Sequence, residues 1–224
     1  MDVWVIVICA LTKPTKQLMA KNVIILINNI QNYEICIRFQ ISMAPEGLYI
    51  RSYRNEDAAA VLGIYEYYIL IGPYTFETSV PEISAFSARL HEIAGRFPFY
   101  VLEKENKIIG YAYACTHRER AAYRWAVETS IYLAKDTTGK GFGKMLYNSL
   151  LATLKERHFT HAFALIGLPN EPSIQLHNSC GFTEQTIHKK AGFKNGCWID
   201  VCWMRCSLEE ALEIPIEPIF KKSE

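Results

Sequence analysis

Apolar and polar residues alternate with a period of two in the middle of the chain, a pattern typical of β-strands. The clearest example is residues 125–133, whose side chains would divide between the two faces of a sheet. One face would carry Val127, Thr129, Ile131 and Leu133. The opposite face would carry Ala126, Glu128, Ser130 and Tyr132. We therefore predict a strand here, leading into the glycine-rich turn that follows it.

Short apolar runs predict further strands at residues 48–53, 99–103, 108–115, 162–167 and 198–205. The polar turn at residues 104–107 joins two of these runs and predicts an antiparallel hairpin. Elsewhere apolar residues recur every three or four positions, which predicts helices at residues 59–69, 81–95, 142–157 and 172–180. The third helix connects two of the strands, and the usual right-handed crossover would make that pair parallel. The pattern as a whole predicts one α/β domain with a mixed sheet.

The two ends of the chain do not follow this pattern. Residues 1–46 are predicted to be an N-terminal extension outside the domain, with Met43 as an alternative start. Their apolar runs are shorter than the roughly 20 residues that span a bilayer, and Asp2 ahead of the first run argues against a signal peptide. Residues 47–210 form the predicted domain. Residues 211–224, with Pro215 and Pro218, are predicted to be a loosely packed tail.

Charge and cysteine content narrow the range of partners. The 24 Lys and Arg residues against 23 Asp and Glu give a net charge of +1, without the one-signed excess that suits nucleic acid or an acidic membrane. We therefore expect a small-molecule substrate, no nucleic acid and no membrane partner. The seven cysteines are odd in number and contain no C-x-x-C pair. We expect reduced thiols, no metal and a cytoplasmic location.

A glycine-rich turn follows the strand at residues 125–133. The segment Thr137-Thr138-Gly139-Lys140-Gly141-Phe142-Gly143-Lys144 precedes an amphipathic helix, where backbone N–H groups and the helix dipole attract phosphate. It matches neither G-x-x-x-x-G-K-[ST] nor G-x-G-x-x-G, which disfavours an NTPase or a Rossmann dehydrogenase. From the glycines alone, an ordinary flexible turn explains the segment equally well.

In this context the turn resembles the GNAT superfamily of N-acetyltransferases, whose motif [R/Q]-x-x-G-x-[G/A] is matched by Gly141 and Gly143. The resemblance implies a mixed, mostly antiparallel central sheet with helices on both faces and a V-shaped split between the two central parallel strands. It also implies acetyl-CoA as the acetyl donor. Thr138 departs from the first motif position, so Lys140 or Lys144 would supply the charge.

Longer segments resemble the phosphinothricin and methionine sulfone acetyltransferase branch of that superfamily. They are YRWAVETS at residues 123–130, IGLPNEPS at 166–173, LH at 176–177 with GF at 181–182, and AGFKNGCWIDV at 191–201. This resemblance runs from about residue 48 to residue 218. It implies a homodimer, and transfer of acetyl to the primary amine of a small amino-acid-like substrate by direct attack.

The same resemblance implies two catalytic residues. Glu128 would be the general base, acting through a water, and apolar neighbours would assist by desolvating the carboxylate. A solvated strand carboxylate is the alternative interpretation of this residue. His177 stands where many relatives have a tyrosine near the cofactor sulfur, which makes it a candidate general acid or substrate contact. An ordinary histidine on a helix face is the alternative.

The remaining expected site residues bind the cofactor or the substrate. Cofactor contacts are predicted for Ile131, Tyr132, Leu133, Gly139, Lys140, Gly141, Phe142, Gly143, Lys144 and Asn170. Leu133 would donate its backbone N–H to the oxyanion, whereas Asn170 could instead be a simple helix N-cap. The substrate cleft is predicted to contain Phe76, Arg120, Tyr123 and Lys190, which would hold an acidic group through charge-assisted bonds.

Two other functions remain open from the sequence. One is acetylation of a peptide or protein amine, which a longer, more open and acidic groove would favour. The other is a catalytically silent CoA-binding or regulatory module.

Overall fold

The computed structural model describes residues 47–209 and 212–221. The predicted N-terminal extension at residues 1–46, including Met43, lies outside the described residues. Residues 210–211 and 222–224 lie outside them as well.

Seven strands form one sheet. They are β1 (Leu48–Ser52), β2 (Phe99–Lys104), β3 (Lys107–Thr116), β4 (Ala126–Leu133), β5 (His161–Gly167), β6 (Thr183–Lys194) and β7 (Cys197–Ser207). Their order across the sheet is β1-β2-β3-β4-β5-β7-β6. Strands β4 and β5 are the one parallel pair in the described sheet, and all other neighbours are antiparallel. The prediction of a mixed, mostly antiparallel sheet is confirmed.

Helices cover both faces of this sheet. They are α1 (Ala58–Leu70), α2 (Ile83–Arg96), α3 (Phe142–Glu156) and α4 (Glu171–Ser179). Short 3-10 turns occur at Asn55–Asp57, Ala121–Tyr123 and Lys135–Thr137. Helices α1 and α2 pack on one face, where Val61 and Phe86 belong to the same buried cluster as Val101 and Tyr111 of the sheet.

Helix α3 covers the opposite face with the stripe that the sequence predicts. Leu146, Leu150 and Leu154 are each 0% exposed and pack with Val127 and Ala162 of the two central strands. Complete burial of one such leucine contributes about 1.5–3 kcal/mol. The same helix carries the chain from β4 to β5, so the crossover and the parallel pairing follow from one buried helix face.

The central strands separate along their length. Strand β4 stays paired with β3 as far as Leu133, which lies opposite Gly110. In the described residues, its pairing with β5 is confined to three positions and ends at Glu128, which lies opposite Phe163. The V-shaped split expected from the family resemblance is therefore present. It opens toward the end of β4 that leads into the glycine turn.

Two expectations about the C-terminal part need correction. Strand β6 was not predicted, because nearly all of its residues are exposed and it lacks a one-sided apolar pattern. Loose packing of the tail is wrong for its described end. The Ile219 N–H donates to the Arg157 carbonyl at 2.9 Å, and the Phe220 ring packs edge-on against Phe97 and Phe159.

Candidate functional site

The glycine turn forms an open helix N-terminus beside the split. Gly139 and Gly141 have φ angles of +74° and +79°, a conformation that side-chain-bearing residues rarely adopt. The first helical bond of α3 runs from the Met145 N–H to the Gly141 carbonyl at 3.2 Å, and no described side chain caps this end. The N–H groups of the first turn are therefore available to an anion, and the helix dipole favours negative charge there.

The polar residues in and around this turn have different roles. The Lys140 ammonium donates to the Asp136 carbonyl at 2.8 Å, and the Thr138 hydroxyl donates to the Lys135 carbonyl at 3.1 Å. Both side chains therefore stabilise the turn itself. Lys144 is exposed on the first turn of α3 and is the better placed of the two predicted lysines to meet a phosphate.

Gly143 and Phe142 begin the helix where it packs on its neighbours. A Cβ at Gly143 would lie 3.2 Å from the Leu176 side chain and 3.3 Å from that of Leu133. Phe142 is half-buried against the α3 side of the core, as is Ile131 of β4. Gly143 thus lets α3 approach α4 and the end of β4, which fixes the turn beside the split.

The Leu133 backbone faces the split. The Ala134 N–H donates to the Ile109 carbonyl at 2.8 Å, which places residue 134 in a hydrogen-bonded pair with β3. Because such pairs alternate along an antiparallel ladder, Leu133 directs its N–H and carbonyl away from β3, toward the side of β5. The Tyr68 hydroxyl donates to the Leu133 carbonyl at 2.6 Å. The N–H beside it is oriented to donate into the gap.

Tyr132 points to the opposite face from Leu133 and belongs to an aromatic cluster. Its ring lies 5.1 to 5.3 Å from those of Tyr65, Tyr68 and Tyr111. Burial raises the pKa of the Tyr132 phenol well above its ordinary value. Tyr132 is therefore a neutral wall of the site on the α1 side.

Glu128 lies on the same face as Tyr132, with two cationic or polar groups at one carboxylate oxygen. The His117 Nδ1–H donates to Oε1 at 3.0 Å, and the Arg118 guanidinium lies 3.5 Å from that atom. The Glu128 side chain is 26% exposed. The expected apolar neighbours are present as Cys115 and Phe163 on the adjacent strands, but an imidazole and a guanidinium, which the sequence did not predict, also hold the carboxylate. We call Glu128, His117 and Arg118 the Glu128 cluster.

His117 is the residue that the sequence prediction missed. Its ring stacks on Phe163 at 4.4 Å, its side chain is 8% exposed, and Arg118 lies over the Trp203 ring at 5.4 Å. His117 follows the end of β3 at Thr116 and continues the alternation of Tyr113 and Cys115. That alternation gives only the face of the sheet, and the pairing of Cys115 opposite Glu128, which brings His117 to the carboxylate, appears only in the structure.

His177 lies in the core on the other face of the sheet. Its Nδ1–H donates to the Ser173 carbonyl at 2.7 Å, and its ring meets those of Tyr147 and Phe182 edge-on at 5.0 Å. Burial lowers the pKa of His177, so the imidazole stays neutral near pH 7. His177 is 4% exposed and is not brought together with Glu128. We call His177, Tyr147 and Phe182 the His177 cluster.

Asn170 begins α4 as an N-cap, with its side-chain oxygen accepting from the Ser173 N–H at 3.3 Å. This is the alternative that the sequence left open. Its backbone borders a surface cavity with Pro169 and Trp198. Contact with a cofactor stays a prediction for this residue.

The four predicted substrate residues are dispersed around the Glu128 face. Tyr123 is 47% exposed, and its ring lies 6.1 Å from that of His117. Arg120 is exposed next to it, before the same 3-10 turn. Phe76 is 45% exposed in the loop between α1 and α2. Lys190 is exposed on β6, and its backbone N–H donates to Asp200 at 2.8 Å. Of the four, Tyr123 is thus the residue with a ring contact to His117 beside Glu128.

These placements define what the site can do. An anion can bind at the α3 N-terminus, and an extended chain can enter the split along Leu133. Glu128 offers a partly exposed base on the face of the sheet opposite α3. No group of three or more His, Cys, Asp or Glu in the described residues is arranged to hold a metal ion. None of the described helices is long and apolar enough to span a bilayer.

Comparison with known proteins gives this geometry a family context. An acetyltransferase (GNAT) domain model matches residues 50–203. Phosphinothricin N-acetyltransferase from Alcaligenes faecalis is 34% identical over 171 residues, or 75% of this chain and 86% of that protein. The L-methionine sulfoximine/L-methionine sulfone acetyltransferase of Salmonella typhimurium is 29% identical over 165 residues, or 72% and 95%.

A solved structure extends the similarity to three dimensions. The GNAT superfamily phosphinothricin acetyltransferase from Sinorhizobium meliloti, crystallised in complex with AcCoA, is 36% identical to the chain. The two superpose with a TM-score of 0.73, over 76% of this chain and 94% of that one.

Proposed function

The chain belongs to the GNAT acetyltransferase family, and on that basis we propose that it transfers an acetyl group from acetyl-CoA to the primary amine of a small amino-acid-like substrate. Phosphinothricin and methionine sulfone represent the substrate type, because relatives named for such compounds cover most of the chain. One observation carries the proposal. The α3 N-terminus is open beside the β4–β5 split, and Glu128 lies at the same split on the face of the sheet opposite α3.

Different cofactor residues would bind different parts of acetyl-CoA along the split. The N–H groups from Gly139 to Lys144 would bind the pyrophosphate, with the Lys144 ammonium close by. Ile131 and Leu133 would line the gap for the pantetheine arm. Acetyl-CoA supplies an acetyl group already activated as a thioester. The backbone N–H groups among these contacts are held in place by the fold before binding, which reduces the cost of ordering them.

Glu128 would act as the general base through a water molecule. Removing the proton from the substrate ammonium frees the amine for direct attack on the thioester carbonyl. The tetrahedral intermediate would then break its C–S bond, and the CoA thiolate would leave as the thiol by taking up the proton that the attacking nitrogen loses. His117 would hold the carboxylate by its bond to Oε1, and the Leu133 N–H would donate to the developing oxyanion, where one donor is often worth about 2.7–4 kcal/mol. A general-acid role for His177 stays a prediction, and its burial supports a structural role instead.

The substrate side favours a small molecule. The loop between α1 and α2 packs directly on Gly167 of β5 and on Gly192 of β6, where a Cβ would overlap the Pro73 carbonyl and the Phe76 ring respectively. This loop therefore covers the face of the split on which a long peptide would need an open groove. Phe76, Arg120, Tyr123 and Lys190 remain the proposed surroundings of the acceptor.

The test is thiol release from acetyl-CoA across a panel of amines, with the products identified by mass spectrometry. The panel contains free amino acids, methionine sulfone, phosphinothricin and peptides with free N-terminal or lysine amines. We expect release with the small amino-acid amines and an added acetyl group on each product. Faster turnover of the peptides would support a peptide or protein acetyltransferase. No release above background with any amine would support a silent CoA-binding module.

We also propose that the protein is a cytoplasmic homodimer. Phe193 and Trp198 support the dimer, because they are 57% and 60% exposed and pack together at 5.3 Å on the β6–β7 hairpin. Aromatic side chains exposed in this way are enriched at interfaces. Sedimentation velocity of the full chain should give a dimer mass that falls to the monomer mass in a Phe193→Ser, Trp198→Ser variant. A monomer at all concentrations would contradict the proposal.

A further inference from the structure

Lys194 is the only lysine buried within residues 47–209 and 212–221, with 3% of its surface exposed. It stands at the end of β6, next to the β6–β7 turn. A buried ammonium is costly unless its donors are satisfied. In this position burial lowers the pKa of Lys194, with the nearby Glu77 carboxylate acting in the opposite direction. A residue of this kind needs a specific explanation.

The Lys194 ammonium binds two backbone carbonyls of the loop between α1 and α2, residues 71–82. It donates to the Thr75 carbonyl at 2.8 Å and to the Gly72 carbonyl at 3.1 Å. The two carbonyls are three residues apart in the chain, so one ammonium fixes the backbone of residues 72–75. Hydrogen bonds from a charged donor are about twice as strong as neutral ones.

The same stretch of the loop is held by neighbouring contacts. The Thr75 hydroxyl bonds the Tyr65 hydroxyl of α1 at 2.6 Å, and Glu77 pairs with Arg89 of α2 at 2.6 Å. The Phe76 ring lies directly against Gly192 of β6. Lys194 and Gly192 therefore hold the loop from the sheet side, while α1 and α2 hold it from the helix side.

This loop touches β5 directly and is linked to β4 through Tyr68 of α1. Pro73 packs against Gly167 at the end of β5. Tyr74 meets Tyr68 edge-on at 5.9 Å, and Tyr68 in turn donates to the Leu133 carbonyl at the end of β4. The loop thus spans the open end of the V on the face to which Glu128 points. An amine bound beside Glu128 would therefore meet this loop.

We propose that Lys194 is a positioning residue that fixes the loop over the substrate side of the split and so determines affinity for the amine. The inference rests on the proposed function, because it assigns the loop to the acceptor. Lys194 acts through the Gly72 and Thr75 carbonyls and does not touch the reacting atoms. Loss of its charge should release the loop without disturbing the α3 N-terminus, because α3 packs on the face of the sheet opposite α1 and α2.

The experiment compares Lys194→Met with Lys189→Met in steady-state acetylation of the best amine from the panel. Lys189 lies on the same strand, but its ammonium is exposed and pairs with Asp200 at 2.8 Å. We expect Lys194→Met to raise KM for the amine about 10-fold or more, since two charge-assisted bonds are lost. The values of kcat and of KM for acetyl-CoA should stay within about 3-fold of the parent, since neither depends on the loop bonds. Lys189→Met should change none of the three.

Two further variants separate positioning from simple loss of structure. Lys194→Arg keeps a cationic donor and should recover most of the affinity for the amine. Gly192→Ala displaces Phe76, a proposed acceptor contact, from the sheet side while leaving Lys194 intact, and shows how far KM for the amine rises when the loop itself moves. If Lys194→Met does not fold, folded Lys194→Gln replaces it, and an unchanged KM for the amine in that variant would contradict the positioning role. Amide hydrogen exchange across residues 70–80 should be faster in Lys194→Met than in Lys189→Met.

The outcomes distinguish this inference from the proposed function. If the parent protein acetylates no amine, the proposed function fails, and the exchange measurement still tests whether Lys194 holds the loop. If the parent is active and folded Lys194→Met leaves KM for the amine unchanged, the positioning role is wrong. Equal increases of KM for the amine and for acetyl-CoA would also contradict it.

Discussion

The Glu128 cluster and the His177 cluster lie on opposite faces of the same sheet, and each contains a titratable side chain beside the central strands. Glu128 is partly exposed and is held by an imidazole and a guanidinium. His177 is enclosed by two aromatic rings and bonds a backbone carbonyl. The first group keeps access to solvent and to a substrate, whereas the second is locked into packing. The face of the sheet therefore decides which residue is available for proton transfer.

Among the residues that support the two titratable groups, the largest effect is expected from His117→Phe. The change keeps a ring against Phe163 but removes the donor that holds Glu128. We expect kcat/KM to fall about 10- to 100-fold, because a displaced base loses its alignment with the substrate. Steady-state kinetics at saturating acetyl-CoA would measure this, with the thermal midpoint as the control for folding. Unchanged kcat/KM would remove His117 from the site.

His177→Phe is the matched change on the other face. It keeps a ring between Tyr147 and Phe182 but removes the imidazole donor to the part-buried Ser173 carbonyl, and a hydrogen bond of this kind contributes about 0.5–1.5 kcal/mol. We expect a lower free energy of unfolding in urea and a kcat/KM within about 3-fold of the parent, since no reacting group is lost. A stable His177→Phe protein with greatly reduced kcat would reverse the comparison and support the general-acid role.

The extent of sequence-based prediction follows the same division between faces. Alternation in β4 and the apolar stripe of α3 predicted the core, because burial on one side leaves a periodic signal. Strand β6 has nearly all of its residues exposed and two register shifts, so it carries no such signal. The family resemblance pointed to Glu128, but His117 depends on the register between β3 and β4. That register is a long-range property that no local pattern contains.

Gly141→Ala sharpens the contrast between the Glu128 cluster and the cofactor side. There is open space for the new Cβ, but a φ of +79° costs about 1–2 kcal/mol with a side chain. We expect KM for acetyl-CoA to rise about 5- to 30-fold, the equivalent of that strain, with little change in KM for the amine. Gly95→Ala, at a helical glycine with open space, is the control and should alter neither constant. A larger increase in KM for the amine than in KM for acetyl-CoA would contradict the assignment of the glycine turn to cofactor binding.

The smallest effect concerns the pH dependence of stability. Burial lowers the pKa of His177 in the folded protein below its ordinary 6.5, so the unfolded chain binds the proton more readily. Stability is therefore expected to decrease as the pH falls through about 6.5 and to be retained above it. Urea unfolding at several pH values should show this decrease in the parent and a weaker one in His177→Phe. If the free energy of unfolding changed with pH equally in the parent and in His177→Phe, His177 would not contribute to the pH dependence of stability.

The most direct test of the account is acetyl transfer by Glu128→Gln under saturating acetyl-CoA. Glutamine keeps the size and the hydrogen bond to His117 but cannot accept a proton. We expect acetylation of the preferred amine to fall about 100- to 10,000-fold, with acetyl-CoA binding by calorimetry unchanged and Glu119→Gln as active as the parent. Acetylation by Glu128→Gln at the parental rate would contradict the account.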